Sequence, residues 1–181
     1  MHTAATRILI VGNSGAGKTT FAKQLSKQRE IPYIELDELY WGPNWTPHPA
    51  EQFSRDVSAV AERETWIVDG NYQPVRSILW PRAQLVIWLK YSRLTVMSRL
   101  LRRAIRRSIN KTELWSGNRE TLTLTFASRE SVLRWSWVNH AGYQKLYRTL
   151  QKGNEFPHLA WVEFVRPRQA EEYLHSLTRQ D

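Results

Sequence analysis

The feature that most constrains this sequence is a glycine-rich segment at residues 12–19, which reads GNSGAGKT. It satisfies the Walker A pattern G-x-x-x-x-G-K-[ST] in full, and it joins a strand predicted at residues 7–11 to a helix predicted at residues 19–28. Glycines allow backbone conformations that turn successive N–H groups inward, with no Cβ to obstruct an approaching oxyanion. The segment therefore predicts a phosphate-binding loop between the first strand and the first helix of an α/β fold.

Two side chains of this loop are candidates for chemistry. Lys18 is expected to reach the β- and γ-phosphates of a nucleoside triphosphate, and the Thr19 hydroxyl is expected to ligate Mg²⁺. The N-terminus of the following helix adds partial positive charge. ATP and Mg²⁺ are accordingly the predicted cofactors. The predicted nucleotide-binding residues are Gly12, Asn13, Ser14, Gly15, Ala16, Gly17, Lys18, Thr19 and Thr20.

Apolar, β-branched runs alternate with helical patterns along the rest of the chain. Further strands are predicted at residues 31–36, 66–68, 85–89 and 160–165, and helices at 51–63, 129–150 and 169–177 and in the basic segment after residue 90. Parallel neighbours need long crossovers, so the alternation predicts a five-stranded parallel sheet with helices on both faces. One domain over residues 1–181 is expected, and the polar stretch at about 108–128 is interpreted as a mobile lid.

The positive charge is concentrated in one segment. The chain has 26 Lys and Arg against 17 Asp and Glu, a formal net charge of +9. Eight basic residues and no acidic residue lie from Lys90 to Lys111, which leaves 18 basic residues against 17 acidic ones elsewhere. Helical spacing places Leu94, Met97, Leu101, Ala104 and Ile105 on one face and Arg99, Arg102, Arg103 and Arg106 on another. Such a stripe is either a solvated helix face, a nucleic-acid-binding surface or part of a phosphoryl-transfer site.

Several classes of protein are excluded or disfavoured by composition. The chain has no cysteine, which excludes a disulfide scaffold, a cysteine-ligated zinc site and a thiol nucleophile. The apolar run at residues 8–11 is too short for a signal peptide or a membrane span, so we expect a cytoplasmic protein without a membrane partner. No helix-turn-helix, zinc or RNA-binding motif is present.

Two acids follow predicted strands. Asp37 comes after the second strand and Asp69 ends the third, and ligands of such sheets bind at the carboxyl ends of the strands. Either acid is able to hold Mg²⁺ through water, to orient an acceptor hydroxyl, or to cap the next helix. Glu35 and Glu38 are left out of the predicted site, because strand alternation points Glu35 away from the surroundings of Asp37.

The tryptophans divide into two groups. Trp66 and Trp88 lie within predicted strands and are expected in the core. Trp41 precedes the proline-rich loop that follows Asp37, and Trp45 lies within it. These two residues either wall an acceptor pocket or pack beneath the loop.

These features resemble a known family. The loop at residues 12–19, the Asp69-Gly70 pair and the spacing of Arg99 and Arg103 are similar to those of the adenylate-kinase-like small P-loop kinases. Residues 36–41 (LDELYW), 66–72 (WIVDGNY) and 113–115 (ELW) resemble more closely the bacterial DNA topology modulation protein group, and this match covers nearly the whole chain.

The resemblance implies a five-stranded parallel core, an arginine-bearing lid over ATP, and transfer of the γ-phosphoryl group to a second small molecule. It also implies that Lys18, Thr19 and Asp69 serve Mg-ATP, while Arg99 and Arg103 face the triphosphate or the adenine.

The chain also departs from adenylate kinases. They carry an arginine soon after the Asp-Gly pair, where this sequence has Gln73, and the arginine that binds AMP after the second strand has no counterpart near Asp37. A carboxylate at that place instead resembles shikimate, gluconate or nucleoside kinases, where it meets acceptor hydroxyls.

The sequence therefore predicts an ATP-dependent kinase whose partners are ATP and a small hydroxyl- or phosphate-bearing acceptor. Two alternatives remain open: a nucleic-acid-binding or DNA-topology-modulating protein with a regulatory nucleotide site, and an NTPase without an acceptor. The predicted catalytic residues are Lys18, Asp37, Asp69, Arg99 and Arg103, and Thr19 and Asp69 are the predicted Mg²⁺ ligands, directly or through water.

Overall fold

A computed structural model describes residues 4–110, 115–118 and 132–178. Its five strands are β1 (Arg7–Gly12), β2 (Tyr33–Glu35), β3 (Trp66–Asp69), β4 (Leu85–Leu89) and β5 (Ala160–Phe164). All neighbouring strands pair in parallel, in the order β2-β3-β1-β4-β5. The predicted five-stranded parallel sheet is therefore confirmed. Most of the lid predicted at residues 108–128 lies outside the described residues.

Seven helices are described, together with single 3₁₀ turns at Pro43–Trp45, Gln73–Val75 and Trp115–Gly117. The helices are α1 (Lys18–Arg29), α2 (Leu36–Tyr40), α3 (Ala50–Ala61), α4 (Arg76–Leu79), α5 (Arg93–Asn110), α6 (Val132–Lys152) and α7 (Pro167–Thr178). Among the described residues, no helix combines the length and the apolar character that a membrane span requires.

The sheet separates two apolar layers because successive side chains of a strand point to opposite faces. In β1, Leu9 and Val11 pack with residues of α3, α4 and α6, whereas Ile8 and Ile10 pack with residues of α1, α5 and α7. Helices thus cover both faces, as predicted. Trp66 and Trp88 are fully buried in the first of these layers, which confirms their expected place in the core.

Two details differ from the prediction. The second strand ends at Glu35 rather than at residue 36, and the chain turns at once into α2, so Asp37 lies in a short helix. The apolar face predicted for the basic helix is wrong at Leu94, Leu101 and Ile105, which are exposed. Residues spaced four apart form the buried stripe of α5 instead. They are Val96, Leu100 and Ala104, and Met97 packs beside them.

Candidate active site

The glycine-rich loop follows β1 directly and lies beneath α5. Gly15 has a φ of +84°, and a Cβ at this position would stand 2.4 Å from Cγ of Leu100. Gly17 has a φ of +92°, and its Cβ would stand 2.9 Å from Nη1 of Arg99. Both φ values lie in the left-handed region that favours glycine. Leu100 also leaves no room for a side chain at Gly15, whereas the neighbour of Gly17 is the flexible end of the Arg99 side chain. The loop is therefore shaped by α5 as well as by its own sequence.

Lys18 begins α1 and points back over the loop. Its Nζ donates a hydrogen bond of 3.3 Å to the carbonyl oxygen of Asn13. Burial lowers the pKa of Lys18, and the nearby carboxylates of Asp69 and Asp37 oppose that effect. The ammonium group is thus held in a poorly solvated place where its charge acts strongly on an anion.

Thr19, Asp69 and Glu35 form one cluster at the carboxyl edge of the sheet. Oγ1 of Thr19 lies 2.9 Å from Oδ2 of Asp69 and 3.0 Å from Oε1 of Glu35, and its single proton serves one of them at a time. The Tyr33 hydroxyl donates to Oδ1 of Asp69 at 3.1 Å. Burial raises the pKa of Asp69 to about 7, although Lys18 lowers it.

The structure places Glu35 in this cluster, although the prediction left it out of the site. Glu35 pairs with Asp69 in the parallel register between β2 and β3, so the two carboxyl groups lie side by side. The prediction considered only whether the side chain of Glu35 points toward the surroundings of Asp37. Glu35 is the last residue of its strand, as Asp69 is of β3, and that shared position was the signal in the sequence.

The donor set of this cluster suits Mg²⁺. A hydroxyl and two carboxylates are the hard oxygen ligands that this ion prefers, and it commonly takes one or two carboxylates and completes its shell with water and substrate phosphates. In the described part of the chain, no group of three or more His, Cys, Asp or Glu residues is arranged to hold a metal. The residues present therefore fit an ion that is bound jointly with a phosphate.

The four arginines of the stripe predicted on α5 fall into two pairs. Arg99 and Arg103 line the cleft above the loop, whereas Arg102 and Arg106 are exposed. Nη1 of Arg99 donates to the carbonyl oxygen of Ala16 at 3.0 Å, and its guanidinium lies 5.3 Å from the centroid of the Tyr91 ring. One pair thus faces the phosphate loop.

Asp37 lies in the same cleft among aromatic side chains. Its Oδ1 accepts a hydrogen bond of 2.6 Å from the Tyr72 hydroxyl. The ring of Tyr40 packs against those of Trp41, Phe53 and Tyr72, with centroids 4.7 to 5.2 Å apart. Trp41 lines the cleft, as a residue that walls a pocket would.

Trp45 stands behind that wall. Its ring centroid lies 5.8 Å from that of Trp41 and 6.2 Å from that of Trp115. Trp45 therefore supports the wall by packing, which is the second of the two roles that the sequence left open.

Helix α6 joins the loop to this aromatic region. Nδ2 of Asn71 donates to the carbonyl oxygen of Gly12 at 2.7 Å, and Oδ1 of Asn71 accepts from the Tyr147 hydroxyl at 2.7 Å. Nδ2 of Asn13 donates to the carbonyl oxygen of Ser136 at 3.0 Å. The sequence gave no signal for these contacts, because α6 is more than 60 residues from both asparagines along the chain.

One cleft of about 1160 Å³ is lined by the charged and hydroxyl side chains described above: Lys18, Thr19, Glu35, Asp37, Asp69, Arg99 and Arg103. This volume exceeds the ~300–1,000 Å³ typical of a site for one small ligand. The glycine-rich loop with Lys18, Arg99 and Arg103 lines one part of the cleft, and Asp37 with its aromatic neighbours lines another.

A parallel sheet of this order, with a phosphate loop between β1 and α1, defines the P-loop NTPase fold in the form found in small kinases. No protein-family model and no curated protein matches the chain. Solved structures of small kinases do match its fold.

Three of these structures share the fold over nearly the whole chain. A shikimate kinase from Acinetobacter baumannii, in complex with shikimate, is 18% identical with a TM-score of 0.56, covering 99% of this chain and 96% of that one. A shikimate kinase from Bacteroides thetaiotaomicron is 17% identical (TM-score 0.52; 98% of each chain). A gluconokinase from Sinorhizobium meliloti 1021 is 17% identical (TM-score 0.52; 97% of this chain and 93% of that one). At such identity the likeness concerns the fold.

Proposed function

We propose that the protein is an ATP-dependent kinase that transfers the γ-phosphoryl group of Mg-ATP to a small acceptor. The observation that carries the proposal is a single cleft with two chemically different parts. Lys18, Arg99 and Arg103 supply positive charge at the loop, and Asp37 supplies a carboxylate beyond it. A binding site for the nucleotide alone would not need the second part.

In this proposal the loop N–H groups and Lys18 hold the phosphates, while Thr19 and Asp69, with Glu35 beside them, hold Mg²⁺. The bound ion would neutralise charge on the phosphate oxygens. Arg99 and Arg103 stabilise the charge that develops during transfer. A lid at residues 108–128, which would exclude water, remains a prediction.

Asp37 is the proposed base. Tyr72 occupies Oδ1, so Oδ2 is the oxygen offered to an acceptor hydroxyl. The acceptor oxygen forms a bond to the γ-phosphorus while the bond from that phosphorus to the β,γ-bridging oxygen breaks. The acceptor proton passes to Asp37, and the electron pair of the broken bond stays on ADP.

The second candidate is a nucleic-acid-binding protein, in line with the resemblance to the DNA topology modulation group. The exposed Arg102 and Arg106 favour it, since they extend a basic surface on α5. The kinase is preferred because Arg99 and Arg103 line the cleft instead.

In the test, the protein is incubated with γ-labelled ATP, Mg²⁺ and a mixture of hydroxylated small molecules, and the products that carry the label are identified. We expect the wild-type protein to label an organic product and Asp37→Asn to lower this transfer by a factor of roughly 100 or more. Glu38→Gln, an exposed acid in the same helix α2, is the matched control and should retain the activity. Release of the label only as inorganic phosphate, at equal rates in all three proteins, would favour the NTPase and overturn the kinase.

A further inference from the structure

We infer, on the basis of the proposed function, that the phosphoryl acceptor is an uncharged, hydroxyl-bearing molecule with a flat ring, of the chemical class of the nucleosides. The alternative is an acceptor with a carboxylate or a phosphate. Charge, hydrogen bonding and ring contacts around Asp37 each bear on this choice.

Among the described residues that line the cleft, the Lys and Arg side chains lie on the phosphate side. In the described lining, the only Lys and Arg side chains are Lys18 of the loop and Arg99 and Arg103 of α5. Beyond them, toward Asp37, the described lining offers amides, hydroxyls, rings and the imidazole of His48. Lys18 acts on the charge of Asp37, and in the proposed function the triphosphate occupies this lysine. An anionic acceptor would therefore place its charge beside Asp37 without a further Lys or Arg in the described lining, and like charges repel strongly in a poorly solvated cleft.

The position of Arg76 bears on this distribution of positive charge. Its guanidinium lies over the Trp80 ring, 5.7 Å from the centroid, and Arg76 is not part of the cleft lining. The guanidinium thus packs on an aromatic face and does not line the pocket, although its charge acts on the hydroxyl of Tyr143, which does.

The hydrogen-bonding groups beside Asp37 suit hydroxyls. Tyr72 donates to one oxygen of the carboxylate and leaves the other to receive a proton. Gln73 also lines this part of the cleft, and its amide group is able both to donate and to accept. Sugar hydroxyls need this mixture of donors and acceptors.

Aromatic side chains line this region from separate elements. Tyr40 and Trp41 come from α2 and its end, and Trp135 and Tyr143 come from α6. Trp135 is 44% exposed although it is a large aromatic residue, and its ring lies 5.6 Å from that of Tyr143. Aromatic rings pair favourably with flat rings in stacked or edge-to-face geometry, so these walls select a flat ring over a flexible sugar acid.

The experiment compares acceptors with γ-labelled ATP and Mg²⁺. The probes are adenosine, guanosine, cytidine and thymidine, the 5′-monophosphate of each, shikimate and gluconate, of which the last two are carboxylates. We expect at least one nucleoside to be used with a kcat/KM about 100-fold above that of its own monophosphate and of both carboxylates.

Three variants locate the acceptor. Trp135→Ala should raise the KM for the nucleoside about tenfold with the KM for ATP unchanged. Trp137→Ala is the matched control, because Trp137 lies on the same helix, is 47% exposed and is not part of the cleft lining. Arg76→Ala should leave the nucleoside KM unchanged.

Several results would overturn the inference. They are preferred use of a monophosphate or of a carboxylate, a raised acceptor KM in Arg76→Ala, and transfer to none of the nucleosides. None of these results contradicts the proposed kinase activity. That proposal fails only if no organic product is labelled in the broader mixture.

Discussion

At the scale of single residues, Lys18 and Asp69 acquire their properties from the same burial. Removal from water lowers the pKa of the lysine and raises that of the aspartate, while the charge of each opposes the shift of the other. The pair is therefore held in a place where charge is costly, and a phosphate with a bound cation would compensate both groups.

Lys18→Ala should lower ATP turnover by a factor of roughly 100 or more, because a donor aimed at developing phosphate charge is lost. The fold should survive, since Lys18 makes a single hydrogen bond of 3.3 Å to the loop in the described structure. Rates of ADP formation and thermal midpoints would be compared with those of Lys27→Ala, an exposed lysine of the same helix. Full turnover in a folded Lys18→Ala protein would contradict the assignment of the loop.

Asp69 should make the stability of the metal-free protein depend on pH. Its pKa rises from 3.8 to about 7 on folding, so the folded state binds the proton more tightly than the unfolded state. Stability from this group is therefore lost as the pH rises from about 4 to about 7, by on the order of a few kcal/mol.

The measurement is the thermal midpoint from pH 5 to pH 8 in the presence of a chelator. Asp69→Asn should flatten the decline, and Glu62→Gln, at an exposed position, should retain it. Parallel curves for wild type and Asp69→Asn would contradict the raised pKa of Asp69.

Residues differ in how far the sequence reveals their position. The positions of the loop and Lys18 could be predicted, because they depend on eight consecutive residues and the two elements that flank them. Glu35 and Tyr72 act through contacts across strands or between distant segments, with Asp69 and Asp37 respectively. A single sequence gives the strand ends but not the register that joins them.

At the scale of elements, the placement of α5 over the loop decides the meaning of the basic segment. Leu100 packs against Gly15 and Arg99 against Gly17, so one side of the helix belongs to the site. The pattern of the sequence predicted the helix and its arginines. It did not predict which side would be buried, because the leucines at 94 and 101 are as apolar as Leu100 but are exposed.

The two pairs of arginines should differ in function. Arg99→Ala should lower kcat by a factor of about 100 with a smaller effect on ATP binding, and Arg102→Ala, on the exposed side of the same helix, should stay within about twofold of wild type. A nucleic-acid-binding surface predicts otherwise. Each variant would then reduce the slope of log affinity for duplex DNA against log salt by about one and leave ATP turnover unchanged.

At the scale of the whole molecule, the sheet order explains why one cleft contains both parts. Strands β2, β3 and β1 are neighbours, so their carboxyl ends bring Glu35, Asp69 and the loop to one edge. Asp37 follows β2 directly and reaches the same edge through α2. The alternation of strands and helices predicted this layout, whereas the aromatic walls arise from α2, α3 and α6 and needed the folded structure.

The most direct test of the account is the position of a bound triphosphate in a crystal structure with Mg²⁺ and a non-hydrolysable ATP analogue. The account predicts that the triphosphate lies in the loop at residues 12–19, that Thr19 and Asp69 face the metal, and that the γ-phosphate points toward Asp37. A triphosphate bound elsewhere, or one whose γ-phosphate is directed away from Asp37, would contradict it.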